Sequence, residues 1–349
     1  MISNFKKLFS IKEEDLHYVI RILGLKLKLK NSKKVNKEFR KMQLQLKRLQ
    51  IPSIYTTKLN TQQKIWFLSQ KFYEEVGYFP NLKNPKSFNE KINWLKLNYY
   101  NPLEDICIDK YTMKEYIKAK LGKGYIIPTL GIYEDVNDID FDNLPNSFVI
   151  KVTTSGSGEG VEIVKNKNKI NIDKLKYKFN NLLQEWNTIY YYCLSRGYKN
   201  IKPRILIEKY VEQRNKQLYD YKVFCFNGEP KFVYVATDHF PGQISKISFY
   251  SLDWKRLDIS YNNHSQVNIT ILKPKHYKEM LEFSKILSKE FPFVRIDFYE
   301  TDDNLYIGEL TFTPGGGFGK YEPSEWDYKI GEYLDLNKIE KEFLNVQNN

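Results

Sequence analysis

The stretch FVIKVTTSGSGEGVEIV, Phe148 to Val164, restricts the fold more than any other part of this 349-residue chain. Two β-type runs flank a loop of small residues from Ser155 to Gly160. Such a loop lets backbone come close to phosphate oxygens. No Gly-Lys-Ser/Thr ending follows, which excludes the common phosphate loop, and no helix follows, which excludes a dinucleotide fingerprint. What remains is a phosphate-facing loop between two strands, with Lys151 just before it.

A second constraint comes from FVRIDFYETDDNLYIGELTFTPGGGFGKYEP. Asp297 and Glu309 lie on β-type runs joined by a short turn at Thr301–Asn304. Antiparallel pairing through that turn sets the two carboxylates near each other on one face, and Arg295, two residues before Asp297, shares that face. The cluster reads either as a structural salt bridge or as a magnesium site, since magnesium takes one or two carboxylates plus phosphate oxygens. Gly315, Gly316 and Gly317 follow at once and offer bare backbone N–H groups to an anion. In IKPRILIEKYVEQRN the apolar run Ile205–Val211 is broken by Glu208 and Lys209. It reads as an ordinary strand or as an edge that contacts adenine. Lys222, in DYKVFCFNGEPKFV, sits among apolar neighbours, where a strand lysine more often points to solvent.

The net charge of +13 is concentrated at the start of the chain. Residues 1–50 hold 14 Lys/Arg and 4 Asp/Glu, leaving only +3 for the rest. A basic leader on a near-neutral body argues against nucleic acid as the substrate. Leu25 to Lys30 alternate apolar and Lys, a strand period, with Gly24 marking a hairpin turn. Val35, Phe39, Met42, Leu46 and Leu49 then recur at helical spacing. The leader reads as a basic element packed on the body, or as one that meets an acidic membrane surface or a partner enzyme. Cys107, Cys193 and Cys225 stand far apart among apolar neighbours, as reduced buried thiols do. No apolar run reaches the roughly 20 residues of a membrane span, and no signal peptide is evident, so a cytoplasmic location is expected.

Further along, helical periods cover Gln62–Val76, the capping box SFNEKINWLKL from Ser87, and a helix through Met113, Ile117 and Leu121 capped by Asp109. Other helices are expected at Ile172–Trp186, His276–Phe291 and Glu325–Leu334. Strands are expected at Phe148–Val152, Val161–Val164, Arg204–Tyr210, Tyr221–Phe226, Lys231–Ala236, Val294–Tyr299 and Leu305–Thr311, with hairpin turns at FNGEP and ETDDN. The class is α+β, with antiparallel sheets and helices grouped on their faces.

The order of these pieces resembles the ATP-grasp superfamily. FPNLKNPKSFNEKINWLKL, DKYTMKEYIK, IPTLGIYE, LPNSFVIK, DYKVFCFNGEPKFV, FPFVRIDFY and GELTFTPGGGFGKYEPSEWDYKIGEYL look like its branch named for teichuronopeptide biosynthesis, TupA-like. The likeness runs from about Phe79 to Leu336. The resemblance implies two α+β subdomains with ATP and Mg2+ held between them. It divides the chain into a basic extension (1–60), a helical subdomain (61–124), a subdomain with the glycine flap (125–212) and one with the metal site (213–349). Ser155, Gly156, Ser157, Gly158 and Gly160 would form the flap over the phosphates, with Lys110 and Lys151 on those phosphates. Glu208, Lys209, Tyr210 and Val211 would be the adenine hinge, and Glu212 would lie near the ribose. Asp297 and Glu309 would hold magnesium, with Thr311 where the superfamily often has Asn. Lys222 would reach the phosphate or acceptor. Arg295, Gly315, Gly316, Gly317 and Lys320 would face the acceptor.

The implied reaction is ligation of a carboxylate to an amine through an acyl phosphate. The implied setting is bacterial surface polysaccharide assembly, with a uronic-acid carboxylate and an amine as partners. The competing readings are a sugar or glycan kinase and a nucleotide-binding accessory of a glycosyltransferase. VIRILGLKLKLK in the leader also looks like a short element found on some capsule and lipopolysaccharide enzymes.

Overall fold

The computed structural model describes residues 9–14, 17–22, 25–30, 59–156, 160–184, 188–199, 201–212, 219–237, 246–262, 264 and 271–344. They divide into two units, Met1–Leu59 and Asn60–Asn349. The first unit contains strands β1 (Phe9–Glu14), β2 (His17–Ile22) and β3 (Leu25–Lys30), paired antiparallel in that order. The alternating run does form a strand paired with the one before it; Gly24 and the helical run 35–49 lie outside the described residues.

The second unit opens with helices α1 (Thr61–Val76), α2 (Phe88–Asn98), α3 (Pro102–Ile108) and α4 (Met113–Leu121). The expected capping box starts α2: Ser87 Oγ accepts from Glu90 N, and Glu90 accepts from Ser87 N. Asp109 works one turn earlier than expected. Its carboxylate accepts from Tyr111 N and Thr112 N, and Thr112 is the residue that precedes α4.

Then follow β4 (Thr129–Tyr133), β5 (Phe148–Val152), β6 (Val161–Val164), α5 (Ile172–Gln184), α6 (Thr188–Cys193) and β7 (Ile205–Lys209). These four strands form an antiparallel sheet ordered β4-β7-β5-β6. Phe148, Ile150, Val152, Ile205 and Ile207 turn one face of it to Leu175 and Phe179 of α5. The alternate residues Lys151 and Glu208 therefore occupy the other face.

The rest of the unit holds β8 (Asp220–Phe226), β9 (Glu229–Thr237), β10 (Lys246–Ser251), β11 (Arg256–Leu257), β12 (Ser260–Tyr261), α7 (Tyr277–Ser288), β13 (Phe293–Glu300), β14 (Leu305–Thr311), β15 (Tyr321–Glu322) and α8 (Glu325–Glu332). A six-stranded antiparallel sheet runs β11-β10-β9-β8-β13-β14. Asn227 and Gly228 both have positive φ (47° and 82°), the requirement of a tight hairpin turn that follows the strand twist. Both faces are covered. Val223, Cys225, Ile296 and Phe298 pack with α4 and α7, while Phe224, Phe226 and Phe293 pack with Phe88 and Ile92 of α2 and Ile330 of α8. β8 is buried along its whole length for that reason. The three cysteines are free and buried, as expected. Among the described residues, no helix is long and apolar enough to cross a membrane.

Candidate nucleotide and metal site

The face that carries Phe224, Phe226 and Phe293 changes character along the strands. In register, Lys222 lies opposite Asp297, and Asp297 opposite Glu309. Three ionisable residues on three neighbouring strands thus form one row across the sheet. Arg295 closes the row as a fork: Nε donates to Asp297 Oδ1 and Nη2 to Asp297 Oδ2, both at 2.7 Å. Nη2 also donates to Thr311 Oγ1 at 3.0 Å. Lys222 donates to both Asp220 and Asp297. Lys110 Nζ lies 3.0 Å from Glu309 Oε1.

The charges here balance: Asp220, Asp297 and Glu309 against Lys110, Lys222 and Arg295. Burial works to raise Glu309, but Lys110, Arg295 and Lys222 overcome it and hold the carboxyl at about 2. Burial raises Asp220, opposed by Lys222 and reinforced by Asp297. Burial would lower Lys222, yet Asp220 and Asp297 raise it.

A second network lies on the small sheet. Buried Glu208 accepts from Lys151 and from Lys114, the latter at 2.5 Å. Lys114 also donates to Ile127 O and Thr129 Oγ1, each at 2.8 Å. Burial works to raise Glu208, but Lys151 and then Lys114 lower it. This network carries one excess positive charge.

Lys110 ties the ion row to the backbone that follows β5. Its backbone N–H donates to Thr153 O at 3.0 Å and its Nζ to Ser155 O at 2.6 Å, while the same Nζ holds Glu309. Ser155 begins the glycine loop. Val152 N donates to Gly160 O, and a Cβ on Gly160 would stand 2.3 Å from Ser155 Cβ, so the loop's neck admits only glycine there. Gly156 has open space around it; Ser157 and Gly158 lie outside the described residues.

Other residues singled out in the sequence lie outside the two ion networks. Lys209 and Glu212 are exposed at the end of β7 and just beyond it, Tyr210 and Val211 are half-buried between them, and Lys209 N is already used by Pro128 O. Lys320 is exposed and pairs with Glu322 at 3.3 Å, outside the ion row. Lys222 does not reach solvent as strand lysines usually do; its two carboxylates hold it inside. Arg295 spends its fork on Asp297 and Thr311 rather than presenting it. Asp220 and Lys114 were missed. Lys114 follows Lys110 by four residues in DKYTMK, and Asp220 precedes Lys222 by two strand positions; both spacings were visible.

Magnesium fits the donor set. Asp297 and Glu309 provide hard oxygen ligands side by side, and Asp220 Oδ1 is buried with no hydrogen-bond partner. Among the described residues no three Asp, Glu, His or Cys side chains gather as a metal cage. That suits an ion that completes its shell from phosphate and water. The cation-rich network around Lys151 fits the phosphates.

A family model described as TupA-like ATPgrasp matches residues 90–335. The chain belongs to the TupA-like ATP-grasp family. Its fold is therefore the ATP-grasp fold, and ATP with Mg2+ is its cofactor pair. Among solved structures it is similar to a D-alanine–D-alanine ligase from Bacillus anthracis (19% identity, TM-score 0.35, 59% of this chain and 57% of that one). It is also similar to the D-alanine–D-alanine ligase of Helicobacter pylori (15%, 0.39, 71% and 67%) and to D-alanyl-alanine synthetase A of Vibrio cholerae (14%, 0.40, 70% and 70%). The chain spans just over half the length of the first of these. No curated protein matches it.

Proposed function

We propose that this ATP-grasp protein is an ATP-dependent carboxylate–amine ligase of bacterial surface polysaccharide assembly, joining an amino acid or other amine to a uronic-acid carboxylate. The ion row of Lys222, Asp297 and Glu309, tied by Lys110 to the neck of the glycine loop, is the observation that carries this reading. The TupA-like family supports the polysaccharide setting. When bound, ATP with magnesium supplies the phosphoryl group that activates the acceptor carboxylate as an acyl phosphate. Asp297 and Glu309 would hold the metal. Lys151 and Lys110 exchange Glu208 and Ser155 O for phosphate oxygens, spreading the charge that develops there. Arg295 keeps the Asp297 carboxylate in place through two parallel bonds. The backbone of Gly315–Gly317 faces the carbonyl that the amine attacks.

An acyl phosphate is electrophilic, so hydroxylamine intercepts it. The protein is incubated with ATP, magnesium, hydroxylamine and a panel of uronic acids, and products are read by mass spectrometry. The reading expects a hydroxamate that disappears in Glu309→Gln. A stable phosphorylated sugar with no hydroxamate would replace the ligase by a kinase.

A further inference from the structure

Three consecutive glycines, Gly315, Gly316 and Gly317, have φ of 57°, 65° and 72°. An L-residue with a side chain is disfavoured there by roughly 1–2 kcal/mol at each position. The result is a left-handed turn, and it is held from outside. Asn93 Nδ2 donates to Gly317 O at 2.7 Å, Lys96 Nζ donates to Gly316 O, and Asn89 Nδ2 donates to Gly319 O at 2.6 Å. Asn89, Asn93 and Lys96 follow one another at helical spacing on one face of α2. α2 is itself fixed: Lys91 donates to Gly331 O and Leu334 O, and Asp327 accepts from Asn89 N.

Lys96 differs from the other cations near the site. Lys110, Lys114, Lys151, Lys222 and Arg295 each have a carboxylate at ion-pair distance. Among the described residues Lys96 has none; it touches Asn93 Oδ1, Gly316 O and the Phe318 ring, 4.4 Å from the centroid. A partly buried ammonium without a counter-charge is costly. A carbonyl bound by that ammonium also has a more strongly polarised peptide group. We propose that Lys96, seconded by Asn93 and Asn89, is a positioning residue that sets the glycine turn to receive an anionic group, the acceptor carboxylate. The role rests on the ligase reading.

The groups around Lys96 are Lys71 of α1, also over Phe318, Cys193 of α6, and Glu104 of α3 with Arg196, which line a cavity of about 20 Å3 with it. Burial draws Lys96 down to about 8, Cys193 works the other way, and Lys71 adds to the lowering. Burial pushes Glu104 up to about 8, with Asp105 adding to it. Lys96 is therefore expected to lose its proton in mildly alkaline solution, and the test must separate it from Glu104.

The whole protein is labelled with 15N-glycine and its spectra are followed from about pH 6 to about pH 10, a range spanning the lowered lysine. Gly317 N reports on the peptide whose oxygen Lys96 binds. Its signal is expected to titrate with a midpoint of about 8 in the native protein. The titration should vanish in Lys96→Met, and Lys96→Arg should hold the low-pH position throughout. Acetate, the probe carboxylate, should move the same signal saturably in the native protein and in Lys96→Arg but not in Lys96→Met. A titration that survives Lys96→Met, or is lost in Glu104→Gln instead, overturns the proposal. So does a signal that ignores acetate or answers only inorganic phosphate. If Lys96→Met does not fold, Lys96→Arg against the native protein decides. Hydroxamate formation is read separately: its absence beside an intact acetate response sinks the ligase reading alone, and the reverse sinks the positioning role alone.

Discussion

The two ion networks of this protein solve the same electrostatic problem in opposite ways. On the small sheet one carboxylate, Glu208, serves two lysines; on the large sheet three carboxylates meet three cations. The first network keeps an unspent positive charge and the second keeps none. On the function proposed above, a magnesium nucleotide, which is itself anionic overall, is expected to find attraction on the side of Lys151. On the side of Asp297 it finds a closed set of pairs that must be rearranged. The difference teaches that the small sheet offers an uncompensated positive charge, whereas the charges of the large sheet's row are matched within the chain.

Removing one member of the balanced row should have the largest effect. Asp297→Ala leaves Lys222 and Arg295 buried without their shared partner, an arrangement that costs about 3–5 kcal/mol. Urea denaturation should show that loss, and ADP release should fall to background. A near-native unfolding midpoint would mean that the row is not a single network.

The cation-rich network should tolerate a loss better. In Lys151→Ala, Glu208 keeps Lys114, so the fold should persist while nucleotide affinity falls about 10- to 100-fold, or about 1.4–2.7 kcal/mol. Calorimetric titration with ADP and magnesium measures it. Unchanged affinity would remove Lys151 from the phosphate site.

The smallest expected effect depends on pH. Glu309 is lowered from its ordinary 4.5 to about 2 in the folded protein. Its stabilising contribution is then fully present above about pH 4.5 and is lost as pH falls toward 2. Glu309→Gln should lower the melting temperature at neutral pH by a few degrees, roughly what 1 kcal/mol produces in a domain of this size. The gap to the native protein should close across that acid window. A gap independent of pH would mean that packing, and not charge, holds Glu309 in the row.

Much of the large sheet's half of this contrast was legible in the sequence. The short turn and the period of two put Arg295 beside Asp297 on a strand paired with β14, but Asp297 meets Glu309 only because a β-bulge between Asp297 and Phe298 shifts the register by one; the turn alone would pair Asp297 with Gly308, and that bulge was not legible. Asn227-Gly228 announced its hairpin for an equally local reason. The burial of Lys222 was not legible, because it depends on β13 lying beside β8, a pairing of distant segments. Glu208's double partnership needed α4 to bring Lys114 to the small sheet. The grip of Asn89, Asn93 and Lys96 on the glycine turn spans more than two hundred residues of sequence. Local period and turn chemistry act within a few residues; these contacts are set by how sheets and helices stack.

Lys110 gives the contrast a thermodynamic meaning. One ammonium group restrains both the neck of the glycine loop, through Ser155 O, and a metal-side carboxylate, through Glu309. Whatever draws it toward a phosphate releases both restraints together. On the function proposed above, phosphate binding and metal binding then share a coupling free energy, and linkage makes that coupling equal in both directions. The factor by which the nucleotide tightens magnesium is the factor by which magnesium tightens the nucleotide, and its size measures how much of the free energy of binding passes through a single side chain.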